Sequence, residues 1–182
     1  PEIVMAANKD PKFMELIKRD ADLVTADGIG IVLGGKMLKT PVKERVTGYD
    51  LFTWLLHVGN LRKLRVYLIG ATPAVMKVTK EKIAKDYPGI ELVGAEDGYF
   101  KDDLQTVANR IENAKPDMVF AAIGFPRQEE LISLLRQAEV PAVMMGVGGS
   151  FDVFSGAVKR APEVFQKTHL EWFYRLITNP TR

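Results

Sequence analysis

Three short runs of this chain combine residue types that can do chemistry. The first is Thr25-Ala26-Asp27-Gly28-Ile29-Gly30. A carboxylate there, followed by glycines that let another backbone or a ligand come close, could act as a general base. The same Asp27 could equally cap a helix that begins just after it. The second run is Gly124-Phe125-Pro126-Arg127-Gln128-Glu129. A turn built on proline, opening a helix, offers unpaired N–H groups and a partial positive charge, which suits phosphate. Arg127 could add a charged donor, and Gln128 can both donate and accept toward a base or sugar; alternatively, Gln128 and Glu129 belong to ordinary first-turn capping and Arg127 is solvated. The third run, Gly146-Val147-Gly148-Gly149-Ser150-Phe151-Asp152, has three glycines in its first four residues, which makes either a phosphate cradle or a plain strand-to-helix turn.

None of these runs is a dinucleotide fingerprint or a Walker A loop. The Gly146 run lacks the full glycine spacing and a later ribose-binding acid, and it has no Gly-Lys-Ser/Thr. That argues against a dinucleotide-dependent oxidoreductase. No Gly-x-Ser-x-Gly elbow is present, so a serine hydrolase has little support. Zero cysteines remove disulfides, a thiolate nucleophile and Cys-based zinc sites, and two histidines, His57 and His169, make a multi-His metal site improbable. Both histidines read as packing or surface residues. No metal ligand set and no cofactor is expected.

Charge is nearly balanced, at +2 over 182 residues with 47% hydrophobic and 26% charged side chains. Nothing global marks a nucleic-acid partner. Two stretches nevertheless stand out. Lys36 to Arg45 carries a net +3, and Val158 to Arg182 carries another +3 interleaved with Phe165, Trp172, Phe173 and Tyr174. Basic residues among aromatics suit an anionic membrane surface or a phosphate-bearing lipid, or else form a solvated basic face over a packed stripe.

The elements that must position these residues follow from apolar runs and their Gly/Pro punctuation. The pattern predicts strands over Leu23–Ala26, Arg65–Gly70, Ile90–Gly94, Asp117–Gly124 and Pro141–Gly146. Helices are expected over Glu2–Asn8, Pro11–Arg19, Gly30–Leu38, Tyr49–Val58, Thr72–Tyr87, Asp102–Ala114 and Pro126–Ala138. Strands separated by helices of this length make βαβ units, so the fold class is α/β. A single domain over 1–182 is expected, with a mostly parallel, Rossmann-like sheet and helices on both faces. Ligands of such sheets bind beyond the carboxyl ends of the strands, which is where all three runs fall.

Several segments in order carry a resemblance. Ala26-Asp27-Gly28, Glu44-Arg45-Val46 with Gly48-Tyr49-Asp50, Gly124 to Glu129, Gly146 through Ala161-Pro162, and the closing Leu170-Glu171-Trp172-Phe173-Tyr174-Arg175 together resemble the WecG/TagA/CpsF glycosyltransferases. The resemblance covers nearly the whole chain. It implies an inverting transfer of N-acetylmannosamine from a UDP donor to an undecaprenyl-diphosphate-linked N-acetylglucosamine, on the cytoplasmic face of the membrane and without a required metal. Asp27 matches the family's proposed base. Arg45 and Gln128 match residues implicated in activity, and Arg127, Glu129, Gly124, Gly146, Gly148, Gly149 and Asp152 are expected to help bind substrate.

The resemblance also implies a Thr-x-Asn segment before Pro1 and a basic, apolar membrane appendage after Arg182, so the chain is expected to continue at both ends. Membrane contact is assigned to the C-terminal region, and the aromatic tail could support a homo-oligomer. Two other readings stay open: a related transferase using UDP-N-acetylmannosaminuronic acid or another UDP-sugar, and a non-catalytic UDP-sugar-binding domain.

Overall fold

The computed structural model describes residues 2–40, 42, 45–162, 165, 171 and 174. Four strands, β1 (Arg65–Gly70), β2 (Glu91–Glu96), β3 (Met118–Ala122) and β4 (Val143–Gly146), form one parallel sheet in the order β2-β1-β3-β4. The eight helices among the described residues are α1 (Glu2–Lys9), α2 (Pro11–Asp20), α3 (Ile29–Met37), α4 (Gly48–Arg62), α5 (Pro73–Asp86), α6 (Leu104–Asn113), α7 (Arg127–Gln137) and α8 (Ser150–Ser155).

Alternation along the two central strands divides the core. Val66 and Leu68 of β1, with Met118 and Phe120 of β3, face Phe52 and Leu56 of α4, Val75 and Ile83 of α5 and Phe151 and Phe154 of α8. Tyr67 and Ile69, with Val119 and Ala121, face Val107 and Ile111 of α6 and Leu131 and Leu135 of α7. Both faces are therefore covered, which is why β3 reads as an unbroken apolar run in the sequence. Phe52 stands at the centre of the first layer, its ring 4.9 Å from Phe120, 5.6 Å from Phe151 and 5.6 Å from Phe154.

Local chemistry sets most boundaries. Thr72 caps α5 by accepting from the Val75 amide, and proline follows at the first helical turn. Asp103 caps α6 by accepting from the Thr106 amide at 2.7 Å. Two expectations need correction. Leu23–Ala26 is not a strand. Leu23 and Val24 are exposed, and one backbone bond among the described residues, Val46 N–H to Ala26 O at 3.0 Å, replaces a ladder. Helix α4 runs past Val58 to Arg62, because Gly59 is a packing position: a side chain there would meet Ile90 at 3.5 Å and Met118 at 3.8 Å. Tertiary packing outweighs glycine's poor helix propensity. The C-terminal basic stretch, with His169, Trp172, Phe173 and Arg175, lies largely outside the described residues, as do Lys43 and Glu44.

Candidate active site

The sheet order creates a crevice. From β1 the chain crosses through α5 on one face to β2, then returns through α6 on the other face to β3. The carboxyl ends of the adjacent strands β1 and β3 therefore send their chains in opposite directions, and the gap left between them is where open α/β sheets take ligands. A cleft of about 470 Å³ occupies this place, with Ala71, Thr72, Gly124, Gln128, Gly149 and Asp152 among its walls. Gly70 holds its inner edge. It has φ +131°, and a Cβ there would fall 2.3 Å from the Ala122 carbonyl carbon, so only glycine lets the two strand ends touch. A larger groove of about 610 Å³ runs along α5 and the end of β2, past Lys77, Lys80 and Asp97. It reaches none of the expected site residues, so the smaller cleft is the better candidate.

The helix that begins at Arg127 does not offer the open amides expected of it. Gln128 N–H bonds Gly124 O at 3.0 Å, and the Glu129 and Glu130 amides both bond Pro126 O. Two acidic side chains in its first turn already answer the helix dipole. The chemistry lies instead in side chains. Gln128 is buried and donates from Nε2 to Glu129 Oε1 at 2.8 Å, while Gln128 Oε1 and Glu129 Oε2 have no partner among the described residues. A buried acceptor without a partner is costly unless a ligand supplies the donor. Burial pushes the Glu129 carboxyl above the usual glutamate range, against the opposing hydrogen bond from Gln128. Gly146 supports this arrangement: a Cβ there would come within 2.7 Å of Gln128 Nε2. Arg127 turns away and stacks its guanidinium 4.9 Å from the Phe100 ring centroid.

Asp27 and Arg45 come together in a second cluster. Asp27 does not cap the helix that follows it. Gly28 occupies that position without a side-chain bond, and Asp27 Oδ2 accepts instead from the Gly48 amide at 3.2 Å, at the N-terminus of α4. Arg45 Nη2 lies 3.6 Å from Asp27 Oδ1 and forms a tight ion pair with Glu171. Glu171, only 7% exposed, also faces Arg160, which pairs with Asp50 at 2.7 Å and lies 4.8 Å over the Tyr49 ring. Thr47 caps α4 through the Asp50 amide, fixing the segment that carries these groups. The cluster sits over the end of β4, since a Cβ on Gly48 would be 3.8 Å from both Asp27 Oδ2 and Met145 Cε.

Of the expected residues, Gly124, Gln128, Gly148, Gly149 and Asp152 line the cleft, Gly146 and Glu129 support it, and Asp27 with Arg45 forms the neighbouring charged cluster. Arg127 joins neither. The sequence gives Glu171 and Arg160 no role beyond a motif and a basic stretch. Their only signal is a buried charge pattern that spacing cannot reveal.

Comparison with known proteins shows the family. The model of the "Glycosyl transferase WecG/TagA/CpsF family" matches residues 1–182. The chain belongs to the WecG/TagA/CpsF family. Among its relatives in that family is a Bacillus spizizenii protein, 48% identical over 182 residues, covering all of this chain and 70% of the relative. A Bacillus subtilis protein is 45% identical over the same span and share. A Staphylococcus aureus protein is 39% identical over 177 residues, covering 97% of this chain and 69% of its own. All three are named N-acetylglucosaminyldiphosphoundecaprenol N-acetyl-beta-D-mannosaminyltransferase.

Proposed function

We propose that this WecG/TagA/CpsF glycosyltransferase moves N-acetyl-β-D-mannosamine from a UDP donor onto undecaprenyl-diphosphate-linked N-acetylglucosamine. The observation that carries this is the 48% identity, over the whole of this chain and 70% of the relative, with a protein bearing that activity as its name. Family membership favours a transferase over a merely ligand-binding domain. The names of the relatives favour N-acetylmannosamine over its uronic acid and over other UDP-sugars.

In this reading the UDP moiety occupies the cleft at the β1, β3 and β4 ends, with Gln128 and Asp152 meeting its polar groups. Asp27 takes the proton from the acceptor hydroxyl as that oxygen attacks the anomeric carbon from the face opposite the diphosphate. The new C–O bond forms as the bond to the UDP oxygen breaks, the configuration inverts, and the electron pair leaves with UDP. A positioned base of this kind contributes roughly 10²–10⁴-fold. Arg45, 3.6 Å from Asp27, orients the carboxylate and adds positive charge where the diphosphate departs.

No helix among the described residues is long and apolar enough to cross a membrane. The acceptor is nevertheless a lipid, and we place the enzyme at the inner membrane face, held through its basic, aromatic C-terminal region. Incubation with UDP-N-acetylmannosamine and the lipid acceptor tests the reading. A disaccharide product with a β linkage is expected. Transfer only from UDP-N-acetylmannosaminuronic acid, or UDP binding without any transfer, would replace it.

A further inference from the structure

Helix α3 is half-buried along Ile29, Ile31 and Val32, yet its other apolar side chains stand open. Its sequence is Ile-Gly-Ile-Val-Leu-Gly-Gly-Lys-Met, and none of its nine residues is buried. Leu33 is 52% exposed, Met37 84%, and the next residue, Leu38, 77%. The end of the helix is firmly closed. Lys39 N–H returns to Lys36 O at 3.2 Å and Thr40 N–H to Gly35 O at 2.9 Å, the paired bonds that finish a helix on a left-handed residue, here Lys39 with φ 57°. An apolar stripe on a helix finished this carefully and left open to water needs a partner.

Its position says which. Asp27 lies two residues ahead of α3, and the helix runs away from it for about 13 Å at 1.5 Å per residue. If Asp27 accepts the proton of the acceptor hydroxyl, the far side of that same sugar carries a diphosphate and then a long hydrocarbon chain, and these must leave the base along some surface. Leading away from Asp27, α3 offers an apolar stripe of Leu33, Met37 and Leu38 with the exposed cations Lys36 and Lys39. That pairing of hydrocarbon and positive charge matches a prenyl chain joined to a diphosphate.

We infer that α3 is the docking surface for the polyprenyl-diphosphate portion of the acceptor, the prenyl chain lying on Leu33, Met37 and Leu38 and the diphosphate near Lys36 and Lys39. This rests on the transferase reading above. A bilayer in general, or a second copy of the chain, would use the same stripe without needing Asp27 beside it.

The test is labelling of the whole protein with a photoreactive polyprenyl diphosphate in detergent, followed by peptide mapping. Label on the segment 29–39 is expected, falling about tenfold in the double variant Leu33→Ser/Met37→Ser, the loss that two unburied apolar side chains would cause. It should be unchanged in Leu61→Ser, an equally exposed apolar site on α4. Label elsewhere, or label indifferent to the double variant, overturns the assignment. Equal labelling by a photoreactive phospholipid would mean a general membrane face and also overturns it. So does a double variant that turns a dimeric wild type into a monomer with labelling preserved. Labelling needs no turnover, so an enzyme that labels on α3 but transfers no sugar would count against the transferase reading and not against α3.

Discussion

The cleft and the charged cluster are built in opposite ways. The cleft walled by Ala71, Gly124, Gln128 and Gly149 is made largely of strand ends and the turns that follow them, so its residues are fixed by the same parallel ladder that makes the core. The Asp27 cluster draws on segments around residues 27, 45–50, 160 and 171, held to one another by charge. Arg45 and Glu171 are 126 positions apart. The backbone of a site made by sheet topology can be moved only by disturbing the fold, whereas a site made by ion pairs can lose its chemistry while the sheet stays whole.

Substitutions can break that contrast. Gly70→Ala has the largest expected effect, because its Cβ would overlap the Ala122 backbone at a φ that L-residues avoid. The loss should be about 3–5 kcal/mol in chemical denaturation, with UDP binding lost only through unfolding. Next is Arg45→Ala, which leaves the buried Glu171 without its nearest cation and should cost about 3 kcal/mol. Arg45→Lys should recover much of that stability but little transfer, since Nη2 alone meets both Asp27 and Glu171 and an ammonium on a shorter stem keeps a charge by Glu171 without taking that position. Equal activity of the Lys variant in a transfer assay would mean that Arg45 supplies charge alone.

Gly146→Ala is milder. The atom its methyl meets is the end of the Gln128 side chain, which can swing aside. Stability should hold while UDP affinity, read by isothermal titration, falls about tenfold, or ~1.4 kcal/mol. Unchanged affinity would remove Gln128 from the nucleotide site.

Smallest is the effect of Glu129. Burial raises its folded carboxyl above the unfolded value, so the native state holds that proton more tightly than the unfolded chain does. Its contribution therefore favours folding at low pH and is lost as pH rises from the ordinary glutamate range through the raised one. Glu129→Gln should flatten that slope in a stability-versus-pH series.

The same contrast explains what the sequence reveals. Strands that read as short, nearly unbroken apolar runs closed by a glycine, such as Arg65–Gly70 and Met118–Ala122, are visible because their pattern is local. So are the glycine-bearing runs from Gly124 and Gly146 that follow β3 and β4. Leu23–Ala26 has a strand's residue types but no neighbouring ladder, and strand pairing is a property that a single segment cannot show. Glu171 beside Arg45 and Arg160, and the turn of Arg127 onto Phe100, depend on how distant segments meet. Residue types carry no sign of such meetings. The orphaned Oε1 of Gln128 is of the same kind, since a missing partner exists only in three dimensions.

Asp27→Asn, measured for both UDP affinity and transfer, tests the central claim most directly. The amide keeps the size of the side chain and can still accept from Gly48 N–H, but it cannot take a proton. Transfer should fall by roughly 10²–10⁴-fold while the UDP dissociation constant stays within about twofold of wild type, the mark of a group that acts on the acceptor rather than on the nucleotide. Transfer within a few-fold of wild type would contradict the account, because the proton would then leave by a route that does not involve Asp27.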